Sequence, residues 1–153
     1  MKSTKEVFGN KVRLRICGLC FKNDAILLVK HNIDGDILWA PPGGGIKFGE
    51  SLENCLIREF EEETSLNIVP GNFLFITEYI NPPLHAIEMF YEVKNFSGNL
   101  ILGSDPKIDD STILQDIGFF DQEGLSQLPL EQLHSCLKIC NNPIELLDKR
   151  GHL

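Results

Sequence analysis

Residues 58 to 65, Arg-Glu-Phe-Glu-Glu-Glu-Thr-Ser, place Glu59, Glu61, Glu62 and Glu63 within five positions. Ser51 can cap a helix that runs to about Thr64, so these glutamates fall in its last turns. Carboxylates repel at that spacing, and the negative end of the helix dipole disfavours them further. At ~100° per residue, Leu52, Cys55, Leu56 and Phe60 form one broad apolar stripe, and Glu59, Glu62 and Glu63 continue it. Glu61 points about 180° from Leu52 and reads as solvated. A merely solvated acidic face should lie opposite the apolar stripe, not in line with it. Carboxylates aimed at the protein need a positive partner to stay ionised. Arg58 can pair with Glu50 or with a helix glutamate, but one arginine does not neutralise three carboxylates. Three oxygen donors on one stripe suit a hard divalent cation such as Mg2+ or Mn2+.

Charge supports a cation-mediated partner. The 153 residues carry a formal net charge of -8, which argues against a nucleic-acid polymer or an anionic membrane as the main partner. A small phosphorylated ligand remains compatible if a cation bridges it to the protein. No apolar run is long enough to span a membrane, and the first residues lack the apolar middle of a secretory signal. Five cysteines, an odd number, suit a reducing compartment, and a cytoplasmic location is expected. Cys17 and Cys20 spell CxxC but sit in a strand-like run, where an offset of three sends them to opposite faces. They read as core thiols, as do Cys136 and Cys140 near His134, rather than as zinc ligands.

The length suits one domain over residues 1–153. Strands are expected at Val12 to Phe21 and Ala25 to Val29, with a polar loop from His31 to Asp36. Two more strands, Phe73 to Tyr79 and Ile87 to Val93, join through Asn81-Pro82-Pro83. Asn95 to Asp110 reads as a mobile loop, and Ile117 to Phe120 as a last short strand. Leu125 to Cys140 has helical spacing broken at Pro129, and Pro143 can open a short final helix. Strands around one central helix, with more helix after them, predict an α/β (α+β) fold with a mixed sheet flanked by helices.

Pro41-Pro42-Gly43-Gly44-Gly45 precedes the helix; proline and glycine together are expected to exclude regular structure there, and the glycines permit close backbone approach to a ligand or metal. From Gly44 onward, GGIKFGESLENCLIREFEEETSL resembles the Nudix box, G-x5-E-x7-R-E-U-x-E-E-x-G-U, with U apolar. Gly44, Glu50, Arg58, Glu59, Phe60, Glu62, Glu63 and Leu66 fit at the required spacing, while Ser65 replaces a glycine. LWAPPGGG and GFFDQEGLSQLP are similar to flanking segments of the same family.

The resemblance implies an α/β/α sandwich and Mg2+- or Mn2+-dependent hydrolysis of a diphosphate linkage in nucleoside diphosphate derivatives. It implies that Glu59, Glu62 and Glu63 bind metal, helped by a backbone carbonyl near Gly43, and that Arg58 and Glu50 brace the loop and helix. Glu50, Arg58 and the three glutamates form the implied catalytic set. One of the glutamates, or a later carboxylate from among Asp110, Asp116 and Glu88, would orient the attacking water. Gly44, Trp39 and Pro82 are candidate substrate contacts. Trp39, Phe48 and Tyr79 are candidates to stack on a base, and prolines about sixteen residues past the box are associated with ADP-ribose pyrophosphatases. The substrate expected is a small nucleotide, ADP-ribose or a nucleotide sugar. A MutT-like (d)NTP pyrophosphohydrolase and a non-catalytic nucleotide-binding module are the alternatives. Family likeness also suggests a homodimer.

Overall fold

The structure, a computed structural model, describes residues 3–103 and 113–153. A short helix, α1 (Thr4–Phe8), is started by a capping box in which Ser3 Oγ accepts from the Glu6 amide and the Glu6 carboxylate accepts from the Ser3 amide. The strands follow as β1 (Lys11–Leu19), β2 (Phe21–Lys22), β3 (Ala25–Ile33), β4 (Asp36–Ala40) and β5 (Gly43–Gly45). Helix α2 (Leu52–Thr64) comes next, then β6 (Asn67–Asn81), β7 (Leu84–Ser97) and β8 (Leu114–Phe120). The chain ends with α3 (Gln122–Ser126), three short 3-10 turns and β9 (Gly151–His152).

The strands divide between two sheets. The first has the order β5-β1-β7-β6-β9 and is mixed, because β1 and β7 run parallel while β6 and β7 form a long antiparallel hairpin. The second is antiparallel: β3 pairs with β2, β4 and β8. Helix α2 packs on the first sheet through Cys55, Leu56 and Phe60, all fully buried with Ile16, Cys20, Leu27 and Leu66. Each large side chain buried this way contributes about 1.5–3 kcal/mol. On the other side, Leu125, Leu133, Cys136, Leu137 and Leu146 close over Cys17, Leu19, Leu28, Phe75 and Phe90. Cys17 and Cys20 thus belong to opposite cores, as their offset predicts.

Several boundaries differ from the expectation, and the glycine run expected to be irregular forms β5, paired antiparallel with β1. The hairpin β3–β4 continues through His31 to Ile33 and turns at Asp34-Gly35, so the expected polar loop is mostly strand. Strands β6 and β7 are far longer than the apolar runs alone suggest, because one pairs with the other along nearly its whole length. Asn95 to Ser97 belong to β7, and the rest of the expected loop lies partly outside the described residues. The expected helix over Leu125 to Cys140 is instead the end of α3 followed by 3-10 turns at Leu130–Gln132 and Ser135–Lys138. Pro129 interrupts the amide ladder, and apolar residues three apart serve a 3-10 turn as well as an α-helix. Pro143 does open a final element, a 3-10 helix over Pro143–Asp148. Among the described residues no helix is long and apolar enough to cross a membrane.

Candidate active site

Helix α2 starts where Ser51 Oγ accepts from the Asn54 amide and ends where Ser65 turns left-handed, with φ 61°. Its crowded acidic end is stabilised from outside. The Ile101 amide donates to the Thr64 carbonyl at 3.0 Å, and the Gly103 amide to the Glu63 carbonyl at 2.9 Å. These bonds satisfy two of the carbonyls that a helix end leaves open. Glu61 is exposed, as the helical wheel predicts, whereas Glu63 is buried and Glu59 and Glu62 are partly so.

One pocket gathers the loop and the helix. Gly43, Gly44, Gly45, Lys47, Arg58, Glu59, Glu62 and Glu63 form one part of its lining. The glycines are needed here: a methyl group on residue 44 would overlap the Glu59 carboxylate, and one on residue 43 would meet the Ile16 carbonyl of β1. The Gly43 amide donates to Glu63 Oε1 at 3.0 Å, tying the loop to the helix end.

Arg58 is the hub of the remaining contacts. Its Nε and Nη2 grip Glu50, Nη2 also reaches the Gly45 carbonyl at 3.1 Å, and Nη1 donates to Glu59 at 2.8 Å and Glu62 at 3.2 Å. The hydrogen bonds from Arg58 hold the Glu50 carboxyl down at about 2, and the Glu50 bonds in turn hold the guanidinium firmly charged. Glu59 moves the other way. Burial raises its carboxyl and Glu62 adds like-charge repulsion, against the bonds from Arg58. As they stand, Glu59 and Glu62 lean on Arg58 and Glu63 on the Gly43 amide. Among the described residues no three His, Cys, Asp or Glu side chains converge on one point.

The pocket continues past Gly43. Arg13, Arg15, Tyr79, Ala86 and Glu88 come from one face of the first sheet, and His31, Ile33 and Leu38 from β3 and β4. Helix α1 supplies Thr4 and Phe8, and the Arg13 guanidinium lies 3.7 Å above the Phe8 ring. Burial, with Arg15 nearby, pushes the His31 imidazole down to about 3, so this ring is neutral at ordinary pH. On the pocket floor Glu88, 1% exposed, takes hydrogen bonds from Arg15 at 2.8 Å, His134 at 2.7 Å and Thr77 at 3.2 Å. Burial alone would raise this carboxyl; the paired groups outweigh it and bring Glu88 to about 2.

Sequence reasoning misplaced several residues. Trp39 is not on the pocket wall: it is buried in the core, edge-on to Phe120. Its indole faces that core because β4 alternates, and Leu38, its neighbour, takes the pocket side. Pro82 sits exposed in the turn between β6 and β7 and does not line the pocket. Phe48 is fully exposed, and of the aromatic candidates Tyr79 alone lines the pocket. Asp116 is exposed on β8 and bonds the Ile117 amide, whereas Asp110 lies outside the described residues. Arg15 and His134 went unrecognised as parts of the site. Arg13, Arg15 and Cys17 alternate on one strand face, and the burial of Cys17 was the signal that the arginines face inward with it.

Comparison with known proteins agrees with this geometry. The family model described as NUDIX domain matches residues 11–133. An ADP-ribose pyrophosphatase of Methanocaldococcus jannaschii is 29% identical over 119 residues, which cover 74% of this chain and 64% of that protein. A NAD-capped RNA hydrolase NudC of Pectobacterium carotovorum is 29% identical over 108 residues, covering 71% of this chain and 38% of that protein. This chain therefore spans less than two thirds of either relative. The crystal structure of a MutT NUDIX hydrolase from Burkholderia pseudomallei superposes with a TM-score of 0.69 at 22% identity, covering 91% of this chain and 98% of that one. With Gly44, Arg58, Glu59, Glu62 and Glu63 of the box gathered at one pocket and the family model spanning most of its length, this chain belongs to the NUDIX domain family.

Proposed function

We propose that the protein hydrolyses a diphosphate linkage in a nucleoside diphosphate derivative, ADP-ribose or a nucleotide sugar, with Mg2+ or Mn2+. The observation that carries this reading is the placement of Glu59, Glu62 and Glu63, from one helix, on the wall of the pocket that the Gly43–Gly45 strand also lines. The donor set fits a hard divalent cation: it is oxygen only, it is rich in carboxylate, and Gly44 leaves room for the Glu59 carboxylate where any larger residue would not. Glu59, Glu62, Glu63 and the Gly43 carbonyl would hold the ion. Bound there, it would offset charge on the diphosphate and lower the pKa of a bound water.

The chain's own residues divide the remaining work. Glu50 and Arg58 fix the loop against the helix. Glu88 is a poor base, since its carboxyl is fully paired and lies at about 2, and Asp116 is absent from the pocket lining. Among the described residues, orientation of the water falls to the helix glutamates. The two curated relatives support the substrate class: by their names one acts on ADP-ribose and the other on an NAD cap. Each compound contains a diphosphate joining a nucleoside to a second moiety.

A panel of ADP-ribose, nucleotide sugars and (d)NTPs, assayed with Mg2+ or Mn2+ and with a chelator control, tests the reading. Nucleoside monophosphate released from ADP-ribose or a nucleotide sugar is expected. Pyrophosphate released from (d)NTPs would move the assignment to the MutT-like reaction, and no product from any member would end the hydrolase reading.

A further inference from the structure

Arg15 is placed as more than a counter-ion for Glu88. An arginine that served only to neutralise a buried carboxylate could turn away from the pocket. This one lines the pocket beside Glu59, Glu62 and Glu63. Its Nη1 is anchored on Glu88 at 2.8 Å, but its Nη2 bond to the Gly43 carbonyl is long, at 3.3 Å. Its Nε is buried without a hydrogen-bond partner among the described residues. A guanidinium has five N–H donors; with Nε closed off by burial and one donor on each Nη bonded to protein, one N–H on each Nη is left for a ligand among the described residues.

The anchor beneath it is built with care. Thr77 and His134 both donate to Glu88 Oε1, leaving Oε2 for Arg15. His134 Nδ1 accepts the Cys136 amide at 3.1 Å, so the ring proton sits on Nε2, facing Glu88. Burial disfavours a charged ring here, but Cys136 and the Glu88 carboxylate outweigh it and raise the imidazole to about 10. His134 itself is held by its amide, which donates to the Trp39 carbonyl at 2.9 Å. It lies one residue past the stretch matched by the family model, as the cap of the 3-10 turn Ser135–Lys138.

We propose that Arg15 binds a phosphate of the substrate, and that Glu88 and the C-terminal His134 are positioning residues that hold its guanidinium for that contact. The inference deepens the reading above and rests on it for the identity of the ligand. A fixed guanidinium is suited to the task, because its planar donors match phosphate oxygens and little freedom is lost on binding. Its charge also offsets the repulsion between a diphosphate and the nearby Glu59 and Glu63, both of which lie within its field.

The test is calorimetric titration of pyrophosphate, ADP and adenosine, each with Mg2+, into the wild type, Arg15→Lys, His134→Phe and His134→Gln. Arg15→Lys keeps the charge and removes the planar fork. It is expected to weaken pyrophosphate and ADP about tenfold or more while adenosine changes little. His134→Phe keeps the ring but loses the donor to Glu88, so it should give a smaller loss of the same kind. His134→Gln, whose amide can still donate to Glu88, should recover part of that loss. In turnover of an active substrate at saturating Mg2+, Arg15→Lys should raise KM or lower kcat, as loss of a phosphate contact requires. Wild-type affinity for pyrophosphate and ADP in Arg15→Lys would overturn the proposal, as would equal weakening of adenosine, or a wild type that binds no pyrophosphate. Arg15-dependent pyrophosphate binding without turnover of any panel member would sink the hydrolase reading and leave this one standing.

Discussion

Arg58 holds both oxygens of Glu50, Nε to Oε2 at 2.7 Å and Nη2 to Oε1 at 2.9 Å, and so joins the loop before α2 to the helix itself. Lys47 adds its amide to Glu50 Oε1 at 3.1 Å. The Glu50 carboxyl lies at about 2 in the fold, against roughly 4.3 for an unperturbed glutamate. A lowered folded value gives stability that is full above the unfolded value and is lost as pH falls through the folded one. Urea midpoints measured from pH 6 down to pH 2 should therefore fall less steeply for Glu50→Gln than for the wild type below about pH 4.3. The same substitution should lower hydrolysis by about tenfold, as expected when a group that orients metal ligands loses its charge. An unchanged acid slope would show that this ion pair is not coupled to folding.

Glu62→Gln and Glu59→Gln test the metal assignment directly. Each removes one charge from the set on the pocket wall while leaving the helix stripe intact. Loss of a cation ligand should reduce the rate by several kcal/mol of transition-state stabilisation, a hundredfold or more. Titration of Mn2+ by electron paramagnetic resonance should show weaker binding in both variants. Glu61→Gln, on the exposed side of the helix, should match the wild type in both measurements. Equal Mn2+ affinity in all four proteins would remove the glutamates from the metal site.

The parts of the site that were legible in the sequence are local ones. The helix stripe, its Ser51 cap and the distance from Gly44 to Glu63 all lie within one loop–helix unit, where a fixed rotation per residue determines which side chains share a face. Arg15, Glu88 and His134 are separated by 73 and 46 residues, and only strand pairing and the docking of the C-terminal turns bring them together. No periodicity encodes such a meeting. Glu88 could be named as one of three carboxylates, but its burial on the sheet face it shares with Arg15 is a product of the β1–β7 register. Trp39 failed for a related reason: its neighbour Leu38 faces the pocket, and a shift of one residue in a strand exchanges the two faces.

Gly44→Ala should separate folding from activity. The nearest atoms that the added methyl group meets are the carboxylate end of the Glu59 side chain, which can rotate away. A stability loss within about 1 kcal/mol is expected, because no backbone or packed ring has to move. Glu59, however, must leave its seat against the loop, so Mn2+ affinity and turnover should both fall. Denaturant titration beside the metal titration reads the two effects. A large stability loss with normal metal affinity would show that the glycine serves the fold instead.

Ser65 is the position where this chain departs from the box pattern, and the structure shows what that departure requires. Its backbone takes φ 61° and ψ 12°, the left-handed geometry that a glycine adopts freely. Its amide still donates to the Glu61 carbonyl at 3.1 Å, so the helix closes as it would with glycine, and its hydroxyl reaches the Ile101 carbonyl only at 3.5 Å. A side chain in this region costs about 1–2 kcal/mol, while a glycine loses more freedom on folding by roughly 0.5–1 kcal/mol. The difference favours Ser65→Gly by about 0.5–1 kcal/mol, or a rise in Tm of roughly 1–4 °C for a chain of this length. Because the serine side chain is absent from the pocket lining, turnover and Mn2+ affinity should stay at wild-type values. A fall in Tm would mean that the hydroxyl contact with Ile101 outweighs the backbone strain.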